Sequence, residues 1–373
     1  MYAPNTASRQ AGFTLVELMV SLVIGLLVGL AAMSSAQFFM GMQRQSQGLG
    51  SSVANAAGAL DTLKYEVSQA GLGAYHEGKL TCPAVNISVG ALAKRTNQAL
   101  PPVSLTVSAA GELTLGASYA SALGAAGAAT LAEATDNTAV LAPLETYLPV
   151  TVGQAVMLAP ADGALMPCSV KTVTSVTATV TGPKLGFDAT EGHNQVAFTT
   201  VTYPQGSSVS VLGDLRSVTF VVNTKGELVM SRLPLSDASA VLAKNVVAAS
   251  MQYGVATSAT DPTLTWTAAK DGTAVGDWAT PTAAQLMQVR AIRVGVLVRS
   301  GQKDPKVAGV CVTIPDSSAV PTLQGQALSK TAALSLTSTE IVAPKLDTDW
   351  QCYRYQAMSV IVPLRNQVWG VTS

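Results

Sequence analysis

Residues 18–43 carry no formal charge, and from Leu18 to Met40 the chain is mostly Leu, Val, Ile, Ala, Met, Phe and Gly, broken only by small Ser and by Gln37. About 20 apolar residues suffice to cross the hydrocarbon core of a bilayer. The run therefore predicts a membrane-spanning helix over residues 15–40. A secretory signal peptide has a shorter apolar region with an AxA-like cleavage site behind it. Here the apolar region is too long and the polar flank shows no such site, so the segment is expected to stay attached to the mature protein. The leader MYAPNTASRQAG carries a single charged side chain, Arg9. That is a positive-inside signal for a cytoplasmic N-terminus and an exported C-terminal bulk. Glu17 stands near the head of the run. A carboxylate in a membrane helix costs roughly 2.5–3.5 kcal/mol at the bilayer centre, less near an end, and such a residue usually marks a partner.

The helical pattern continues beyond the apolar run. Leu49, Val53, Ala56, Leu60, Leu63, Val67 and Ala70 recur at alternating spacings of four and three, with Ser52, Asn55, Asp61, Lys64 and Glu66 between them. That is an amphipathic helix with one apolar stripe. No proline interrupts Phe13 to Ala70, so one helix of about 87 Å is predicted. Gly41, Gly48, Gly50 and Gly58 are its weak points, and GLG at 71–73 is its stop signal.

The remainder reads as β-structure. Aromatics are only 5% of the chain and Ala, Ser, Thr, Val and Gly dominate, so the core must be built from small and β-branched side chains. SVTFVVNTKGELVMSRL (217–233) is a hairpin pattern around Thr-Lys-Gly. Segments 169–182, 242–255, 291–300 and 353–365 are strand candidates, and 282–289 a short helix. ASALGAAGAATLAEA (120–134) reads as a loop or a short helix. A long helix followed by strands predicts an α+β architecture, helix on antiparallel sheet.

Charged residues make up 12% of the chain and the formal net charge is zero, so no nucleic-acid footprint or acidic tail is present. The four cysteines, Cys82, Cys168, Cys311 and Cys352, are widely spaced with no CxxC pair, which argues against a zinc or thioredoxin-type site. In an exported domain two disulfides are the default. Three connectivities are possible, and sequence proximity favours Cys82–Cys168 with Cys311–Cys352.

GFTLVELMVSLVIGLLVGL resembles the N-terminal signature of type IV pilins and of the related pseudopilins of type II secretion. The resemblance implies a pilin-like fold and a leader, residues 1–12, removed by a prepilin peptidase that cuts between Gly12 and Phe13 and methylates Phe13. Residues 13–71 would then be the long helix and 72–373 an exported β-rich domain. Glu17 becomes the fifth residue of the processed chain, one helical turn from the new α-amino group. In a stack of subunits the Glu17 of one can meet the Phe13 amine of the next, so that each charge offsets the other's cost of burial. The alternative for Glu17 is a helix-terminal carboxylate that favours the helix dipole. Ser21, Gly25 and Gly29 form a small-xxx-small stripe that lets helices approach closely.

A strand ending in QYGV, the tryptophan-containing loop with Trp266 and Trp278, VRAIRVGVLVRS, and a last strand ending in PLRNQ together resemble minor pilins of the PilW kind, themselves related to J-type pseudopilins. The resemblance implies a structural subunit that primes assembly of a type IV pilus and sits at or near its tip. Implied partners are the prepilin peptidase, other minor pilins, the major pilin and the inner membrane. The chain would be a single-pass inner-membrane protein with a periplasmic domain, later part of the fimbrium. A type II pseudopilus subunit, or a tip adhesin contacting a surface through residues 80–210, is the alternative.

No catalytic pattern appears: GxSxG, HExxH and P-loop motifs are absent, and neither an enzyme nor a cofactor is expected. His76 and His193 sit in Gly-rich stretches and read as exposed loop residues. Asp261, Asp271 and Asp277 share one loop-rich region, but their spacing matches no EF-hand and no metal is expected. Arg290 falls on the opposite strand face from Arg293 and Arg299, all three read as solvated or paired charges.

Overall fold

The computed structural model describes residues 14–73, 75–76, 79–80, 82, 84–89, 93–98, 101–108, 112–121, 124–135, 137–142, 148–161, 166–179, 182–188, 192–194, 202–233, 239–256, 263–269, 278, 281–306, 308–311, 313–314, 321–323, 326–327, 341–342 and 349–368. One helix, α1 (Leu15–Ser68), runs for 54 residues without a break, about 81 Å at 1.5 Å per residue. The six glycines inside it, Gly41, Gly48, Gly50 and Gly58 among them, do not interrupt it, since isolated glycines cost only about 1 kcal/mol each. It ends where expected. Gly71 and Gly73 take φ of 82° and 81°, a left-handed backbone that glycine adopts without steric cost. This swings the chain so that Gly71 N–H and Leu72 C=O join the backbone of the strand Leu113–Ala120.

Three larger sheets follow, beside the two-stranded pairs 75–76 with 79–80 and 322–323 with 326–327. The middle one is antiparallel throughout, with strands in the order 240–243, 228–233, 215–222, 113–120, 103–107. The C-terminal one orders 265–268, 246–255, 289–299, 355–363, with 341–342 also paired to 246–255. These two sheets and the inner stripe of α1 share one core. Ala56, Leu60, Leu63, Val67 and Ala70 pack with Leu105, Leu115, Phe220, Ile292 and Val296. Leu105 N–H donates to Tyr253 Oη at 2.6 Å, tying the two sheets together.

The third sheet has nine strands, with 168–172 beside 85–89 as a parallel pair. It holds apolar clusters of its own, around Leu131, Leu158 and Tyr203 on one side and Ile87, Met157 and Val170 on the other. Most of it is an insertion. The strands 113–120 and 215–222 pair up to Ala120 opposite Leu215. Directly beyond, Ser121 N–H donates to Asp214 C=O at 3.0 Å. Residues 122–213 thus leave and re-enter through adjacent backbone positions at one end of a hairpin.

Several expectations need correcting. Residues 124–134 form a strand, neither loop nor helix, because its backbone is paired with both 138–141 and 208–213; non-local pairing outweighs weak local preference. Segment 169–182 is two strands, 168–172 and 175–179, with a third beginning at Gly182. Segment 242–255 is broken at Asn245, whose φ of 61° turns the chain. Trp266 lies on the strand Thr265–Ala268, not in a loop. The 217–233 hairpin and the short helix Ala283–Leu286 stand as read.

Candidate functional site

Among the described residues nothing covers the first half of α1. Its large apolar side chains from Leu15 (77% exposed) to Met42 (51% exposed) point outward all round. By length and composition this half is able to cross a membrane. So large an exposed apolar surface marks a site of contact with lipid or protein. Gly25 and Gly29 face open space, where an added Cβ would meet nothing within 4 Å. Ser21 Oγ donates to Leu18 C=O at 3.0 Å. None of the three serves packing inside this chain.

At the head of α1, Thr14 and Glu17 form a reciprocal cap. Glu17 N–H donates to Thr14 Oγ1 at 3.3 Å, and Glu17 Oε2 accepts from Thr14 N–H and Thr14 Oγ1, both at 3.1 Å. The capping box satisfies backbone donors that the first helical turn leaves free and is worth about 1 kcal/mol. Its acceptor also suits the positive end of the helix dipole. Gly12 and Phe13 lie outside the described residues.

The second half of α1 is held to the domain by polar contacts as well as by its stripe. Glu66 is buried at 2% exposure, where Tyr119 Oη donates to its carboxylate and the Arg232 guanidinium pairs with it. Burial, then the hydrogen bond and charge of Glu66, push the Tyr119 hydroxyl up to about 12, partly opposed by Arg216. Ser52 is buried too and accepts from Asn245 Nδ2 at 3.3 Å. Asn366 Nδ2 donates to the carbonyls of Gln69 and Ala70, both at 3.1 Å, closing the helix end. Ser52 and Glu66 are therefore not on a solvent face. At 3.6 residues per turn, Glu66 lies three beyond Leu63 and four before Ala70, inside the stripe. That spacing is the signal that could have found it.

Cys82 is bonded to Cys168, and Cys311 to Cys352. The second bridge lies beside an ionic cluster: Asp304 N–H donates to Cys352 C=O, Arg354 pairs with Asp304, and Lys303 and Lys306 both pair with Asp349. His193 is not an exposed loop residue. It is buried in a short 3-10 turn with Nδ1 2.6 Å from Ser88 C=O, and burial lowers its pKa. His76 falls in the short strand Tyr75–His76. Arg290 donates to Met287 C=O, Arg293 to Gln252 Oε1 while lying over Trp266, and Arg299 stacks on Tyr353. Asp261, Asp271 and Asp277 lie outside the described residues.

Two family models match the chain. Residues 7–33 match the prokaryotic N-terminal methylation motif, and residues 219–366 match type IV pilus-assembly protein W. Residues 7–33 are thus similar to a prepilin N-terminus and residues 219–366 to PilW-type pilus-assembly proteins. No curated protein matches it. Among solved structures, a type IV-like pilin from Thermus thermophilus is 15% identical over 58% of this chain and 85% of its own, with a TM-score of 0.23. The PilW-type match covers most of the hairpin 215–233 and the whole C-terminal sheet, and the motif covers the exposed part of α1 as far as Met33. The inserted residues 122–213 fall between the matched stretches. These families comprise structural and assembly components of pili, not enzymes.

Proposed function

We propose that this chain is a minor pilin, a structural subunit that primes assembly of a type IV pilus and sits at or near its tip. The observation that carries the proposal is the division of α1. Its buried half is pinned by Glu66, while its apolar half stands free with a carboxylate at its head. In this reading the prepilin peptidase removes residues 1–12, cutting between Gly12 and Phe13, and Phe13 is methylated. Residues 13–71 anchor the subunit in the inner membrane with 72–373 in the periplasm. The anchor then moves into a bundle of pilin helices, where Glu17 exchanges its cap for the Phe13 amine of a neighbouring minor or major pilin. The stripe Ser21, Gly25 and Gly29 brings those helices close. Gold-labelled antibody against this subunit is expected at filament ends; label spread evenly along the shafts contradicts the tip position, and label on short periplasmic fibres of a secretion machine favours the pseudopilus instead.

A second reading has its own observation: the insertion 122–213, which brings its own apolar cluster and separates the two matched stretches. As a tip module it would contact a surface ligand. The adjacency of Ser121 and Asp214 makes a direct junction feasible. Excising 122–213, with Cys82→Ser to avoid a free thiol, should leave piliation intact and abolish attachment. Undiminished attachment by the shortened subunit counts against this reading.

A further inference from the structure

The end of the domain that faces the exposed half of α1 is ringed by basic side chains. The helix leaves the domain at Gly48, where an added Cβ would lie 3.9 Å from Gly301 N, and at Ser52, bonded to Asn245. Lys244 is next to that contact and exposed. Arg299, Lys303, Lys306 and Arg354 surround Tyr353 on the same end, and the last three side chains are each more than 40% exposed. The hairpin tip with Lys225 joins them, since Val246 N–H donates to Gly226 C=O. Among the described residues, the carboxylates on this end are Glu112, Glu227, Asp304 and Asp349. Asp304 is spent on Arg354, and Asp349 is shared by two ammonium groups. Among the described residues six cations thus stand beside four carboxylates on one end of a chain whose formal charge is zero overall.

We propose that this end is a docking surface for the anionic headgroups of the phospholipid bilayer in which the subunit waits before assembly. The inference rests on the membrane-anchored reading above. From Met40 to Gly48 is about 12 Å along the helix. The headgroup layer accounts for about 5–8 Å of that distance, and the rest is less than the Debye length of about 8 Å at physiological salt. Arg44 lies between, at the level of the headgroups. Near an anionic surface each Lys or Arg adds attraction that salt screens. The docking holds the domain against the bilayer and sets the tilt of α1 before a neighbouring subunit captures it.

The test uses the full chain in lipid nanodiscs, one set of phosphatidylcholine alone and one containing phosphatidylglycerol, followed by hydrogen–deuterium exchange. Amides of 299–306 are expected to exchange about five-fold more slowly in the anionic discs. The difference should vanish in 0.5 M salt, and in the triple variant Lys225→Gln, Lys244→Gln, Lys306→Gln, which leaves the Lys303–Asp349 pair in place. Unchanged protection across the strand 289–299 shows that the variant is folded. Equal exchange in both lipids overturns the proposal, as does protection that depends on protein concentration and not on lipid charge. Release of the chain from discs in alkaline wash overturns the anchored reading, and this inference with it.

Discussion

Glu17→Ala is expected to abolish entry of this subunit into filaments while leaving it in the membrane, because alanine only makes the segment more apolar. Breaking a buried ion pair by removing one partner costs about 3–5 kcal/mol. At about 1.4 kcal/mol per decade, that is a fall of at least about 100-fold in incorporation. The cap described above complicates a simple reading, since alanine also removes the two hydrogen bonds that Glu17 Oε2 accepts from Thr14. Glu17→Gln separates the two roles. Glutamine still closes a capping box but carries no charge to offer an ammonium group. If the intersubunit pair is what matters, Gln fails nearly as badly as Ala. If local capping is what matters, Gln assembles normally. The readout is the amount of subunit in sheared filaments relative to the membrane fraction.

Loss of the Cys311–Cys352 bridge is expected to cost about 2–5 kcal/mol of stability. The two cysteines are separated by 41 residues, a loop whose free closure in the unfolded chain is entropically costly. In the folded chain the bridge fixes the stretch that carries Trp350 and Leu323 onto Val247, Ala248 and Leu297. The Lys303, Lys306 and Asp349 side chains are 42%, 44% and 30% exposed, and such surface pairs contribute at most about 1 kcal/mol. They cannot replace the bridge. Cys311→Ser/Cys352→Ser should lower the urea midpoint of the intact chain markedly and leave the 82–168 bridge formed. A midpoint within error of the unmodified chain would show that the apolar cluster alone holds this region.

What could be read in the sequence follows the range of the interactions involved. The helix was legible nearly end to end because its signals are local: an uncharged run, a 3.6-residue stripe and the glycines at 71 and 73. The 217–233 hairpin was legible for the same reason, two apolar runs around a turn. The strand 124–134 was not, because its small residues acquire strand geometry only between partners 138–141 and 208–213. The insertion is equally a matter of pairing at long range, seen only when Ser121 meets Asp214. At the candidate site, the position of Glu17 is plain from its surroundings, whereas Glu66 resembles any surface carboxylate until Tyr119 and Arg232 close over it. His193 looks like a loop residue for lack of a visible partner; that partner is a carbonyl on a strand more than a hundred residues earlier.

The central claim is an order of events. In the proposed function, the Phe13 amine that would pair with Glu17 exists only once the chain is cut, so cleavage is expected to precede assembly. Mass measurement of the N-terminal peptide, from membrane and from sheared filaments separately, tests it most directly. The account predicts that every filament-borne copy begins at a methylated Phe13, with any uncut chains confined to the membrane. Filaments containing chains that still carry residues 1–12 would contradict it.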